Sequence, residues 1–159
     1  MASNTERMPS TLLPTPKSLV RRGGRFPAGR TIGVFVDPSL RRIADVVREE
    51  LIKLGFDGVE MKGEASSAQL AVLGPGTMPA ERERELSGVP FPAQAYSLSV
   101  APEGVTLCAL DAKGALHGLA TFLQWAEGAG EGGIPAVDIV DYPDIERRII
   151  SPTLTWYAG

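Results

Sequence analysis

YSLSVAPEGVTLCALDAKGALHGLATFLQW, residues 96–125, holds two strands, two turns and a helix with little between them. Tyr96, Leu98 and Val100 alternate with Ser97 and Ser99, the period of a half-buried strand. Ala101-Pro102-Glu103-Gly104 is a turn: Pro presets φ, and Gly is free to take positive φ. Val105, Leu107 and Ala109 alternate with Thr106 and Cys108, so the two strands read as a hairpin. Asp111 is placed to cap the next element, and Gly114 permits a tight entry. From Ala115 the period becomes helical. Leu116, Leu119, Phe122, Leu123 and Ala126 are expected on the buried face, with His117, Thr121 and Gln124 opposite. A mid-helix Gly costs roughly 1 kcal/mol against Ala. Gly118 therefore implies close packing of the helix on a sheet.

Working back from the hairpin, Val89-Pro90-Phe91-Pro92 is a breaker, and the charge run Glu81–Glu85 is a solvated turn or short helix. Strands are expected near 31–36, 59–64, 69–73, 95–100, 105–110 and 136–140. A helix is expected over 38–54, with Asp37 as N-cap, Pro38 at the first position and Gly55 as its stop. Its buried stripe is Leu40, Ile43, Val47, Leu51 and Leu54. Leu12–Val20 reads as an extended edge or surface wrap, and Arg21-Arg22-Gly23-Gly24 as a solvated turn. Gly128–Gly133 is a glycine-rich loop.

The run from Tyr96 to Gln124 resembles the small domain that precedes the catalytic barrel in family 20 glycoside hydrolases, the β-N-acetylhexosaminidases. Leu13-Pro14-Thr15-Pro16-Lys17 resembles that family's opening segment. Ile134–Ile139 and Asp141-Tyr142-Pro143 resemble its closing strand and its D-x-P link into the barrel. The resemblance implies a barrel strand directly after the link, with an Arg that contacts the sugar. Arg148 is the nearest match, one residue beyond Arg147. The family's R-G-x-M-L-D run is replaced here by Arg148-Ile149-Ile150-Ser151-Pro152-Thr153. The resemblance also implies substrate-assisted hydrolysis supported by an adjacent Asp-Glu pair, an exception to the usual two-carboxylate scheme. This chain contains no Asp-Glu dipeptide.

The 159 residues suffice for one domain with a real core. Net charge of −3 leaves no basic footprint for nucleic acid. No apolar run approaches the roughly 20 residues of a membrane span. The polar opening MASNTERMPSTLLP has no apolar core of a secretory signal, so a cytoplasmic location is expected. Cys108, the single cysteine, has no disulfide partner in the chain and reads as a buried, inert thiol. His117, the single histidine, reads as a surface imidazole and cannot build a zinc site alone. Trp125 reads as a packing residue at the helix end. Asp138, Asp141, Asp144 and Glu146 read as solvated carboxylates around a strand end. No G-x-S-x-G nucleophile elbow is present.

These readings predict an α+β fold: a single, mostly antiparallel sheet with two α-helices packed on one face. Residues 1–11 are expected as a disordered tail, 12–142 as the leading domain, and 143–159 as linker and truncated start of a (β/α)8 barrel. The function expected is structural: a non-catalytic domain that packs on and stabilises the barrel of its own polypeptide. No catalytic residue, cofactor or metal ligand is expected in this chain, and carbohydrate would be met only through the parent enzyme. The alternative is a free-standing module that binds a nucleotide or sugar phosphate on the loop Gly74-Pro75-Gly76-Thr77. A parallel sheet with that loop at a helix N-terminus would favour it. An enzyme with an unrecognised site ranks last, because the polar residues show no convergent spacing.

Overall fold

The computed structural model describes Leu12 and residues 15–145. Seven strands form one sheet in the order β1-β7-β5-β6-β4-β2-β3. They are β1 (Ser18–Phe26), β2 (Ile32–Val36), β3 (Val59–Met61), β4 (Leu70–Leu73), β5 (Tyr96–Ala101), β6 (Gly104–Ala109) and β7 (Ile134–Asp141). The half containing β1, β7, β5 and β6 is antiparallel and has the longer ladders. β6, β4, β2 and β3 pair in parallel. The sheet is thus mixed and mostly antiparallel.

The hairpin forms as its pattern requires, with Tyr96 opposite Ala109 and Val100 opposite Val105. β5 is then covered on its other edge by β7, which makes it a central strand. Two long helices, α1 (Ala44–Leu54) and α3 (Ala112–Glu127), pack on one face. Asp37 caps a 3-10 segment, Pro38–Ile43, that leads into α1. Gly55 ends α1 at φ 114°, a left-handed conformation suited to glycine. Leu40, Ile43, Val47 and Leu51 are buried as their spacing requires, with Leu54 packed at the margin.

Asp111 caps α3 by accepting from the Lys113 N–H at 3.0 Å. The buried stripe of α3 is Gly114, Ala115, Gly118, Leu119, Phe122 and Trp125. Leu116 does not belong to it and is 40% exposed. The two glycines draw the helix down onto β5 and β6, and Leu116, two residues from each, is turned to the opposite side of the helix. A Cβ on Gly118 would stand 2.2 Å from Leu107 Cδ1.

A third helix, α2 (Ala80–Ser87), lies on the other side of the sheet. Its Leu86 packs with Ala71, Leu73, Met78 and Cys108. Those sheet residues alternate with Leu70, Val72 and Leu107, which face α1 and α3. This second layer also explains why Ser97 is buried at 6% exposure, although its place in the period marks it as solvent-facing.

The segment Arg21-Arg22-Gly23-Gly24 is not a turn. It lies within β1, which pairs with β7 through Ser18 opposite Val140 and Phe26 opposite Ile134. The register shifts between Arg21 and Arg25, where Gly24 takes φ 94°. Glycine in that conformation is the ordinary device for a bulge in an edge strand.

Candidate functional site

The glycine-rich loop 74–77 lies at the carboxyl end of β4, a strand parallel to both neighbours. That sheet geometry is what phosphate binding would ask for. The chemistry of the loop opposes it. The Gly74 N–H donates to Thr77 Oγ1 at 3.0 Å, and the Thr77 N–H donates to the Gly74 carbonyl at 3.1 Å. The Gly76 N–H faces Glu83 Oε2 at 3.3 Å, and Pro75 has none to give. The space beside the loop is filled by the Asp37 carboxylate, 3% exposed, which accepts from the Thr77 hydroxyl and from the Ser39 N–H at 2.7 Å. An anion would meet spent donors and a buried negative charge. The loop is a structural tie between β2 and β4.

Burial pushes the Asp37 carboxyl up, but the hydrogen bonds from Ser39 and Thr77 outweigh it and hold the group below its ordinary value of 3.8. Asp138 behaves alike: burial opposes ionisation, while Ser99 at 2.8 Å and Arg22 at 2.7 Å hold its carboxyl down. A depressed folded value means that stability is fully present above the unfolded carboxylate range and is lost as pH falls through the folded value. The urea midpoint should therefore stay level from about pH 6 to 5 and fall below about pH 4. Asp37→Asn and Asp138→Asn should each flatten that acid limb. A midpoint that rises on acidification would contradict this account.

The other candidates disperse. Cys108 is buried and its thiol is pushed up by burial, so it is a poor nucleophile. His117 is on the exposed side of α3. Trp125 is 2% exposed and donates from Nε1 to the Pro135 carbonyl at 2.8 Å, tying α3 to β7. The two arginines serve the fold as well: Arg21 lies 5.7 Å above the Trp125 ring, and Arg22 pairs with Asp138. Of the carboxylates around the end of β7, Asp144 is solvated at 79% side-chain exposure, while Asp138 and Asp141 are partly buried, and all three have a partner. They do not converge. Strand alternation sends Asp138 to the α2 side and Asp141 to the α3 side. Among the described residues no three His, Cys, Asp or Glu side chains assemble into a metal-holding group. Arg147, Arg148 and Glu146 lie outside the described residues, as do the expected tail 1–11 and all but the first three residues of 143–159.

What the structure does assemble is a groove of about 310 Å³ between the exposed side of α3 and the outgoing chain. Leu116, His117 and Thr121 form one wall, and Asp141, Tyr142 and Pro143 the other. Tyr96 closes the floor, its hydroxyl hydrogen-bonded to Thr121. Burial pushes that phenol well above its ordinary value, so it stays neutral. Lys17 grips the outgoing segment: its N–H donates to Asp141 Oδ1 at 3.1 Å, and its ammonium pairs with Asp144. Sequence spacing gave no sign of this contact, because Lys17 and Asp141 are 124 residues apart.

The elements before and after this groove occur in a known order. The sequence matches glycosyl hydrolase family 20, domain 2, over residues 9–142. The chain belongs to that family. No curated protein matches it. Solved structures share the fold of this domain 2. A β-N-acetylhexosaminidase from Bacteroides fragilis aligns with TM-score 0.65 and 23% identity, over 85% of this chain and 25% of its own. A chitobiase from Flavobacterium johnsoniae gives 0.61 and 25%, over 84% and 21%. An N-acetyl-beta-hexosaminidase from Streptomyces plicatus gives 0.59 and 23%, over 84% and 26%. The chain thus spans between about a fifth and a quarter of the length of each. Among the described residues of this domain 2, no helix is long and apolar enough to cross a membrane.

Proposed function

We propose that this domain 2 is the non-catalytic leading domain of a β-N-acetylhexosaminidase-like glycoside hydrolase. It packs on and stabilises a catalytic (β/α)8 barrel carried by the same polypeptide. The parent enzyme hydrolyses terminal N-acetylhexosamine residues. The observation that carries this reading is the domain 2 match over residues 9–142, in a chain that spans about a quarter of its hexosaminidase neighbours. The groove beside α3 supports it. A domain attached after Asp144 is next to the groove by connectivity, and Leu116 there is 40% exposed among the described residues. In this reading residues 12–142 are the leading domain, and 143–159 open the barrel. Arg148 is the residue that would reach the sugar, just beyond the exit.

The purified chain should release no 4-nitrophenol from 4-nitrophenyl N-acetyl-β-glucosaminide above the buffer rate. The native polypeptide that carries this segment should release it. Turnover by the pure 159-residue chain would overturn the assignment.

A further inference from the structure

We propose that Lys17 clamps residues 141–144, the segment through which the polypeptide leaves this domain, so that this exit is a stiff one and not a loose hinge. The consequence for a following domain rests on the function proposed above; the clamp itself does not. Linked domains move relative to each other by default unless their interface is large and apolar. The exit of this domain is built against such motion.

Lys17 stands immediately before β1, whose Ser18 is opposite Val140 of β7. The next antiparallel rung places Lys17 beside Asp141. Its backbone N–H donates there at 3.1 Å. Its ammonium reaches past that rung to Asp144, and lies 5.5 Å from the centroid of the Tyr142 ring. One residue therefore holds three of the four positions 141–144. The fourth, Pro143, is buried and lines the groove. Its ring fixes its own φ and keeps Tyr142 extended. Asp141 is meanwhile paired with Tyr96 across the β5–β7 ladder, and Tyr142 packs against the apolar cluster under α2. A single exposed ion pair contributes little. Here it extends to Asp144 a set of restraints that already fixes residues 141–143, so its loss frees the end of the segment.

The test is ¹⁵N relaxation on the 159-residue chain. In the wild type the Tyr142 and Asp144 amides should have order parameters of about 0.85, as in a rigid strand. Lys17→Gln should lower Asp144 below about 0.6, leaving the β5 amides unchanged. Lys17→Arg should restore it. Order at Asp144 that survives Lys17→Gln would overturn the clamp. So would a loss spread evenly over the sheet, or a failure of Lys17→Arg to restore order. None of these outcomes touches the proposed function, which fails separately if the native polypeptide proves to end at Gly159.

Discussion

Trp125→Ala should lower the unfolding free energy by roughly 3–5 kcal/mol. A domain of this size has a total of about 5–15 kcal/mol, so the variant is brought close to unfolding. The indole is 2% exposed and fills the space where the last turns of α3 meet β7. Truncation leaves a cavity in a wall made of helix and strand, neither of which can collapse freely into it. It also removes the donor to the Pro135 carbonyl and the ring beneath Arg21. Trp125→Phe keeps much of the ring and loses the N–H, so it should cost about 1–2 kcal/mol, mainly the lost hydrogen bond. Urea unfolding followed by far-UV circular dichroism measures both. A loss under about 1 kcal/mol for Trp125→Ala would mean that α3 is not fixed to β7 as described.

Gly114→Ala should destabilise by roughly 3 kcal/mol, the reverse of what helix propensity alone implies. In an open helix this substitution gains about 1 kcal/mol. Here a Cβ would stand 2.3 Å from the Ala95 carbonyl oxygen and 3.3 Å from that of Ala93. Both are backbone atoms, held by the turn that enters β5. The helix start would have to lift off the sheet. Gly118→Ala is the comparison. Its nearest neighbour is the Leu107 side-chain end, which can rotate, although the Tyr96 ring at 3.0 Å limits the relief. A smaller loss, about 1–2 kcal/mol, is expected. Equal losses at the two positions, or a gain at Gly114, would contradict the packing of α3.

Much of this architecture was legible because local chemistry agreed with the global fold. The period-2 hairpin, the Asp37 and Asp111 caps, the Gly55 stop and the stripe of α1 are all local signals, and each is realised. β1 was not legible. Most of it is exposed on both faces, so it carries no alternation, and its partner β7 is more than a hundred residues away. Its two arginines and two glycines resemble turn chemistry because a bulge uses the same conformations as a turn. The parallel half of the sheet was hidden for a related reason. β4 and β6 are direct neighbours although α2 and β5 lie between them in the chain, and strand direction follows from that crossover and not from the side chains of either strand. Leu116 was misplaced because a helical wheel weighs hydrophobicity, whereas glycines decide how closely α3 approaches the sheet. The groove and the Lys17 contacts join residues from both ends of the chain, a juxtaposition that no local pattern encodes.

The central claim is that this segment is the leading domain of a larger glycosidase. The intact mass of the native polypeptide in its source cells tests it most directly. The expected mass corresponds to a chain several hundred residues longer, since the structural neighbours are about four times the length matched here. A native mass of 16.9 kDa would contradict the account, because the domain would then exist without a barrel to support.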